Sequence, residues 1–372
     1  MSACTAPRCA SWKPSSRAWP LVTGIVHCSS SIGSKICAPS WAVVTMSNES
    51  AKPLLDIRNL SVHFGATEVV SSLSFSLAAG EVMALVGESG SGKTQTALAV
   101  LGLSPPSATV TGSLVFEGTT LPDHPAQRRA LRGSRIALVP QDPMSSLNPY
   151  HMIGGQIAEV MTLHLGISAS AAKIRVLELL DAVGISDPKR VARSYAHQLS
   201  GGMRQRALIA MALAGEPRLI IADEPTTALD SIVQARILDL LGDTVKRFGL
   251  SILLISHNLA VVSRIANRVA VLYAGSMVET AKTAELFADP RHPYTKALIA
   301  AIPRLSEDAQ LPHALPGSPP PGNAAGQPGC IFQQRCPVSI PQCRSVKPDW
   351  RHTHGRGLAC HRVPEGEAYR AA

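Results

Sequence analysis

The residues GESGSGKT, Gly87–Thr94, carry the strongest indication of how this chain folds. The apolar run Val82–Val86 precedes them, and a segment of helical character, QTALAVLGL, follows them. The stretch therefore matches G-x-x-x-x-G-K-[ST] in the strand–loop–helix context that this phosphate-binding pattern requires. The alternative interpretation is a flexible Gly/Ser turn, which the flanking segments disfavour. We expect backbone N–H groups of the loop and the N-terminus of the next helix to bind phosphate oxygens.

The last residues of this loop predict two specific contacts. Lys93 is expected to reach the β- and γ-phosphates of a nucleotide, and the Thr94 hydroxyl to bind Mg²⁺. The candidate nucleotide-binding residues of the loop are Gly87, Glu88, Ser89, Gly90, Ser91, Gly92, Lys93 and Thr94.

A second motif, LIIADEPTTALD, spans Leu219–Asp230. The apolar residues before Asp223 predict a buried strand whose C-terminal end brings this carboxylate beside the phosphate loop. Asp223 is expected to bind Mg²⁺, and Glu224 to orient and deprotonate an attacking water. An apolar run followed by Asp-Glu is common, so the motif gains its weight from its combination with the loop.

The order of apolar and helical segments predicts an α/β fold. Between Leu54 and Pro303, short apolar runs such as EVMALVG, RLIIADE and SILLISH alternate with helical stretches, which indicates parallel strands joined by crossover helices. Met46 is a candidate start, because the residues before it lack a pattern. The expected parts are an unpatterned extension (1–45), the main domain (52–303), a Pro/Gly linker (304–328) and a cysteine-containing region (329–372).

Charge and hydropathy limit the classes of partner. Of the net charge of +9, residues 1–46 contribute +4 and residues 304–372 contribute +3, so the main domain is nearly neutral and we expect no nucleic-acid partner. No window approaches the ~20 apolar residues that a membrane-spanning helix needs. The first residues faintly resemble a secretory signal, but an ill-patterned extension fits them better.

The motif QLSGGMRQR, Gln198–Arg206, distinguishes among families with this phosphate loop. It resembles the LSGGQ-like signature of ATP-binding-cassette (ABC) ATPases, with Met203 in place of the commoner glutamine. A glycine N-cap on an ordinary helix is the alternative. The resemblance implies that Ser200, Gly201 and Gly202 bind the γ-phosphate held by a second cassette, so that a working enzyme needs two cassettes.

The same resemblance implies roles for four further residues. Gln141 would be the lid glutamine that contacts Mg²⁺ and senses a membrane partner, and His257 the switch histidine on the γ-phosphate. Asp230 would be the D-loop aspartate at the dimer interface. Phe64 would stack on adenine, although a place in the core is a real alternative for this aromatic ring. His257 could also be structural, but it follows a predicted strand after the Asp-Glu motif.

Longer segments narrow the resemblance to the oligopeptide/dipeptide importer ATPases, which include nickel and opine relatives. These segments are QDPMSSLNP, ADEPTTALDSIVQARILDLL and HPYTKALIAAIP. Asn258 and Ser231 depart from the residues usual in the family, and neither is an expected catalytic position. The implied fold is a P-loop NTPase of the ABC type, with a helical subdomain and a small C-terminal cysteine-containing tail.

This resemblance also implies a function and partners. The chain would hydrolyse ATP with Mg²⁺ on the cytoplasmic face of the inner membrane and energise peptide uptake. It would act with a second ABC ATPase subunit, identical or different, two permease subunits and an extracytoplasmic solute-binding protein. The alternatives are nickel, opine or glutathione-like cargo, or a soluble ABC ATPase without a transport role.

Four of the eight cysteines lie near the C-terminus: Cys330, Cys336, Cys343 and Cys360, with the spacing C-x5-C-x6-C-x16-C. A disulfide is disfavoured in a chain that faces reducing thiols. Structural zinc sites usually open with closer cysteine pairs, whereas an iron–sulfur cluster tolerates wide gaps. The peptide-importer ATPases carry a similar cysteine pattern, which in some members holds a 4Fe–4S cluster. We therefore expect a structural 4Fe–4S cluster, with zinc or free thiols as the alternatives.

Overall fold

The computed structural model describes residues 52–302 apart from 123 and 228, residue 317, and residues 328–362 apart from 354. The expected N-terminal extension lies outside the described residues, as does nearly all of the expected Pro/Gly linker. The boundaries assigned to these parts therefore stay predictions.

The described residues contain the following strands and helices, numbered in chain order. The strands are β1 Leu55–Phe64, β2 Thr67–Leu77, β3 Val82–Val86, β4 Ala108–Phe116, β5 Thr119–Thr120, β6 Ile136–Val139, β7 Leu219–Asp223, β8 Ser251–Ser256, β9 Arg268–Tyr273, β10 Ser276–Lys282, β11 Arg351–Thr353 and β12 Arg356–Leu358. The α-helices are α1 Lys93–Leu101, α2 Pro125–Arg129, α3 Pro143–Ser146, α4 Ile153–Leu165, α5 Ala169–Ala182, α6 Pro188–Ala192, α7 Gly201–Leu213, α8 Ser231–Phe248, α9 Leu259–Ile265, α10 Thr283–Ala288 and α11 Pro293–Ala300.

The larger sheet has the strand order β11-β12-β10-β9-β3-β8-β7-β6. Its strands from β9 to β6 run parallel, while β10, β12 and β11 are joined by antiparallel pairing. Strands β3, β7 and β8 are the three apolar runs from which the sequence predicted buried strands. Their parallel pairing, with helices between them in the chain, confirms the expected α/β architecture.

Strand β3 shows why these runs are apolar throughout. Val82, Ala84 and Val86 face one core, and Met83 and Leu85 face the other. Every residue of β3 is buried, as expected for a parallel strand covered on both faces. Because β3, β7 and β8 are parallel neighbours, their C-terminal ends lie at one edge of the sheet. The phosphate loop and the Asp-Glu motif therefore begin at the same edge.

The smaller sheet has the order β2-β1-β4-β5, with antiparallel pairing throughout. Its apolar side chains, such as Leu60, Val62 and Leu73, share a core with Met83 and Leu85 of β3. This sheet therefore covers one face of the larger sheet.

Helices α4 to α6 form the helical region that the resemblance implied. Ile153, Ile157 and Met161 line one side of α4 and pack into the same core as Val176 and Leu180 of α5. Within the described residues, no single helix is long and apolar enough to span a membrane. Helices α4 and α5 pass that test only when taken together, and the chain bends by 119° between them.

The C-terminal segment, residues 328–362, packs onto the larger sheet. Its hairpin β11–β12 pairs with β10 and extends the sheet. Phe332 is 1% exposed, and its ring contacts the rings of Tyr273, His292 and Tyr294. The segment is therefore fixed to the domain by an added pair of strands and by one buried aromatic side chain.

Candidate active site

The phosphate loop connects β3 to α1, as its sequence predicted. At Gly87 a Cβ atom would lie 2.1 Å from the carbonyl oxygen of Leu272, so only glycine fits. Gly92 has a φ of 92° and caps α1 without a side-chain hydrogen bond. The loop therefore brings backbone N–H groups to the start of a helix, where an anion is stabilised.

Lys93 is held inside this loop. Its Nζ donates to the carbonyl oxygens of Gly87 (2.8 Å) and Glu88 (2.9 Å) and to Oγ of Ser91 (3.2 Å). Its side chain is 5% exposed, and burial lowers its pKa, while the charges of Glu224, Asp223 and Glu88 oppose that shift. The ammonium group is thus positioned by neutral acceptors, which a phosphate could replace.

Two of the three expected Mg²⁺ ligands, Thr94 and Asp223, lie together, while the side chain of the third, Gln141, donates to Glu224. The Thr94 hydroxyl donates to Oδ1 of Asp223 across 3.3 Å, although the two residues are 129 positions apart in the chain. Burial raises the pKa of Asp223, and the hydrogen bond from Thr94 opposes that shift. A hydroxyl and a buried carboxylate side by side are oxygen donors of the kind that Mg²⁺ prefers, so this pair fits the metal.

Glu224 is the centre of a second polar cluster. Gln141 donates to its Oε2 from Nε2 (2.9 Å), Thr227 donates to the same oxygen (3.0 Å), and Nδ1 of His257 lies 2.9 Å from Oε1. Glu224 has a φ of 46°, which is unusual for a residue with a side chain. The three expected catalytic residues, which come from separate loops, are therefore in direct contact.

A cavity of about 720 Å³ joins the loop to this cluster. Phe64, Asp223, Ser200, Gly201, Gly202 and Asp230 do not line it. The residues that line the cavity are Val69, Gly87, Glu88, Ser89, Gly90, Ser91, Gly92, Lys93, Thr94, Gln95, Gln141, Glu224, Thr227, His257 and Leu298.

The residues expected to act on a second cassette lie elsewhere on the chain. Ser200 is exposed and caps α7, where its Oγ accepts a hydrogen bond from the Met203 N–H (3.4 Å). A Cβ atom on Gly202 would lie 2.7 Å from Val233, so a side chain here would collide with α8. Asp230 caps α8 and accepts from the Val233 N–H (2.9 Å).

Phe64 lies at the end of β1 and packs, partly buried, against the core below the smaller sheet. Its place beside the core agrees with the alternative interpretation as readily as with stacking on adenine, so the stacking role stays a prediction. Val69, on the next strand, is the apolar residue of this sheet that lines the cavity.

Comparison with known proteins agrees with this arrangement. Residues 70–227 match the family described as "ABC transporter", and residues 278–343 match "Oligopeptide/dipeptide transporter, C-terminal region". The dipeptide transport ATP-binding protein DppD of Haemophilus influenzae is 44% identical, covering 83% of this chain and 95% of that protein. The chain belongs to the ABC transporter ATPase family. The oligopeptide transport ATP-binding protein OppD of Escherichia coli is 42% identical, covering 87% of this ABC ATPase and 97% of OppD.

Solved structures show the same fold. The structure of cbiO1 from Clostridium perfringens, part of the ABC transporter complex cbiONQ, has a TM-score of 0.58 and 26% identity, covering 64% of this chain and 92% of that one. A dimeric post-hydrolysis structure of the ATP-binding cassette MJ0796, bound to ADP and Pi, has a TM-score of 0.54 and 25% identity, covering 62% and 98%. The expected ABC-type P-loop NTPase fold is therefore confirmed.

Sequence reasoning missed several residues of this ABC ATPase that contact the site. Thr227 and Leu298 line the cavity, and the Tyr294 hydroxyl accepts a hydrogen bond from the Glu88 N–H (2.9 Å). Thr227 lies within the quoted Asp-Glu motif and could have been considered. Tyr294 and Leu298 belong to α11, and Tyr294 lies 206 positions after Glu88, so no local pattern connects this helix to the loop.

The four C-terminal cysteines of the ABC ATPase form no disulfide with one another. Burial raises the pKa of the Cys330 thiol to about 11, and the nearby thiols of Cys343, Cys360 and Cys336 add to that shift. The backbone N–H groups of Phe332, Val338 and Arg362 act in the opposite direction and lower the pKa of the thiols of Cys330, Cys336 and Cys360. As they stand, no three His, Cys, Asp or Glu side chains of the described residues are close enough to hold a metal ion.

Proposed function

We propose that this ABC ATPase energises the import of peptides through a membrane permease. The observation that carries the proposal is that residues 278–343 match the C-terminal region of oligopeptide/dipeptide transporters, a region that lies outside the matched ATPase segment. The relatives at 44% and 42% identity are named as dipeptide and oligopeptide transport ATP-binding proteins, which supports the same class of cargo.

In this proposal the residues expected at the nucleotide site have defined tasks. Backbone N–H groups of the loop and Lys93 bind the β- and γ-phosphates of ATP, and Thr94 and Asp223 hold Mg²⁺, which neutralises charge on those phosphates. Glu224 deprotonates the attacking water. Gln141 and His257, which both contact the Glu224 side chain, keep that carboxylate aimed at the water and at the γ-phosphate.

The signature residues act on a different nucleotide. Ser200, Gly201 and Gly202 contact the γ-phosphate held by a second cassette, and Asp230 lies at the interface between the two. Exposure of Ser200 and its position outside the cavity support this arrangement. The similar cassette MJ0796 is a dimer in its ADP- and Pi-bound structure. Two ATP molecules then join two cassettes, and hydrolysis separates them again.

The remaining partners follow from the transport role. Two permease subunits would form the path through the membrane, and an extracytoplasmic solute-binding protein would deliver the peptide. The ATPase would lie on the cytoplasmic face of the inner membrane as a peripheral subunit, because it must reach both cytosolic ATP and the permease.

Peptide uptake in cells tests this function. Cells that lack the gene are complemented with the parent chain or with Glu224→Gln, and uptake of a labelled dipeptide and a labelled oligopeptide is measured. We expect uptake only with the parent chain. Uptake of Ni²⁺, an opine or glutathione in place of both peptides would assign the ATPase to another cargo, and unchanged uptake of every substrate without the gene would contradict a transport role.

We further propose that Cys330, Cys336, Cys343 and Cys360 hold a structural 4Fe–4S cluster. The backbone N–H groups that lower the pKa of three of the thiols support it, because they favour the thiolate form that binds a metal. The thiols must first move closer together and lose their protons, so binding should release protons. Protein purified without oxygen should be brown, and Cys336→Ser should remove the colour and keep ATP binding. Colourless protein with one zinc per chain would favour zinc, and metal-free protein would favour free thiols.

A further inference from the structure

The C-terminal segment contacts the phosphate loop at Glu88. Nη1 of Arg335 donates to its Oε2 across 2.7 Å and Nη2 to its Oε1 across 3.1 Å, although the two residues are 247 positions apart. Two parallel N–H···O bonds between a guanidinium and a carboxylate are the strongest form of this pairing. The Arg335 side chain is 7% exposed and that of Glu88 is 25% exposed, so the pair is well shielded from water.

A second contact holds the backbone of the same residue. The hydroxyl of Tyr294 accepts a hydrogen bond from the Glu88 N–H at 2.9 Å. Tyr294 is fully buried in α11, and Leu298 of the same helix lines the cavity. Both the side chain and the backbone of Glu88 are therefore fixed by residues that follow all the nucleotide-site motifs in the chain.

Arg335 is itself fixed before any ligand binds. Its Nη1 lies 3.3 Å from the Tyr273 hydroxyl, and its guanidinium lies over the Tyr273 ring, 5.8 Å from the centroid. Phe332, three positions earlier, is buried against the rings of Tyr273 and Tyr294. The hydrogen bonds to Glu88 raise the pKa of Arg335, which stays charged in any case. The guanidinium is thus preorganised toward the loop.

We propose that Arg335 and Tyr294 are positioning residues for nucleotide binding, which act through Glu88 to set the charge and the conformation of the phosphate loop. The inference rests on the proposed role of this loop as the site of the ATP phosphates. Arg335 pairs with the Glu88 carboxylate and neutralises it, so that a polyanionic nucleotide can bind beside it. Tyr294 holds the first peptide group of the loop after Gly87.

The reason is electrostatic. An unpaired carboxylate in the loop would repel the phosphates, and the repulsion would grow with the number of phosphate charges. Loss of Arg335 should therefore weaken binding of ATP more than binding of ADP. A purely structural role for Arg335 would lower the stability of the fold and would affect the two nucleotides alike.

The first test measures the Kd values of ATP and ADP for the full chain and Arg335→Gln. We expect the Kd of ATP to rise about tenfold, the effect of losing roughly one charge-assisted hydrogen bond, with a smaller rise for ADP. The ATP Kd of Arg335→Lys should lie between those of the parent and Arg335→Gln, because lysine keeps the charge and loses the paired geometry. Arg264→Gln is the matched control: Arg264 makes a similar two-bond pair with Asp239 (2.7 and 2.8 Å) away from the cavity, and its Kd values should equal those of the parent.

The second test asks whether the effect passes through Glu88. Glu88→Gln removes the charge, so adding Arg335→Gln to that variant should change the ATP Kd less than twofold, which is coupling in a double-mutant cycle. The same tenfold loss in both backgrounds would overturn the inference, as would parent-like ATP binding by Arg335→Gln. If Arg335→Gln fails to fold, Tyr294→Phe supplies the test, with an expected rise of a few-fold in Kd and no rise as the contradicting result. A parent chain that binds no ATP would instead overturn the proposed function.

Discussion

Helix α1 begins in the phosphate loop and helix α7 begins in the signature motif, and the surroundings of these two N-termini differ. Gly92 caps α1 without a side-chain bond, and the cavity beside it contains Lys93 and the Glu224 cluster. Ser200 caps α7 with its own hydroxyl, is exposed, and does not line that cavity.

The difference shows how one chain can carry halves of two sites. The start of α1 has a cation, an oxygen pair for a metal and a carboxylate around it, so it has what phosphate chemistry needs. The start of α7 offers backbone N–H groups and the Ser200 hydroxyl. A helix N-terminus can bind an anion, but the start of α7 does not line the cavity of its own chain. This supports the proposal that Ser200 contacts a nucleotide held by another cassette.

The largest effect is expected from Ser200→Arg. Arginine at this exposed turn should block approach of the second cassette, so ATP hydrolysis by the assembled ATPase pair should be lost. ATP binding to this chain should stay within about twofold, because Ser200 lies outside its cavity. Turnover and Kd are measured on the same preparation.

Ser168→Arg is the control for that variant, because Ser168 also caps an exposed helix start, with its Oγ accepting from the Ala171 N–H (3.3 Å). It should lose the cap and keep hydrolysis. Hydrolysis that survives in Ser200→Arg would remove the distinction between the two helix starts.

Lys93→Ala changes the other helix start, that of α1. It removes the ammonium group that the loop holds between Gly87, Glu88 and Ser91. The ATP Kd should rise roughly 10- to 100-fold, the range expected for lost hydrogen bonds to a charged group. Lys173→Ala, at an exposed position of α5, is the control. If Ser200→Arg and Lys93→Ala lose binding equally, the two helix starts belong to one site.

A third helix start gives a smaller, pH-dependent effect. His292 caps α11, where its Nδ1 accepts from the Tyr294 N–H (3.1 Å). The backbone N–H of His292 donates to Oε2 of Glu279 (2.9 Å). Burial lowers the pKa of His292 from 6.5 to about 3. Between these pH values the unfolded chain binds a proton that the folded chain excludes, so this residue makes stability fall as pH falls, by about 1.4 kcal/mol per pH unit.

His292→Asn should keep a capping oxygen and remove this titration. Chemical unfolding at several pH values between 3 and 6.5 should give a shallower slope for the variant, whatever its absolute stability. His197→Asn, at an exposed position, should keep the parent slope. An unchanged slope in His292→Asn would mean that this imidazole does not stay neutral in the folded chain.

Short sequence motifs allowed parts of the site to be predicted. The run Val82–Val86 predicted β3, and Asp223 at the end of β7 does lie beside Thr94. Such motifs work because parallel strands end at one edge of a sheet. The contact of Arg335 with Glu88 has no such signal, since it depends on how residues 328–362 fold back across 247 positions.

Other features of the fold also lack a local signal in the sequence. The hairpin β11–β12 consists of short strands of three residues each, too short to show an alternating pattern. The adenine-stacking role that the resemblance implied for Phe64 stays a prediction, because this ring lies partly buried at the end of β1, where a side chain can face either the core or a ligand. The metal site that the cysteine spacing suggests stays a proposal, because the described thiols do not form a group of three ligands as they stand.

The most direct test of the account is ATP turnover by Glu224→Gln. The amide keeps the size of the side chain and its place beside Gln141 and His257, but it cannot take a proton from water. We predict that the Kd of Mg–ATP stays within about twofold of the parent, that turnover falls by ~100-fold or more, and that the ATP-bound closed dimer accumulates. Turnover at the parent rate would contradict the account.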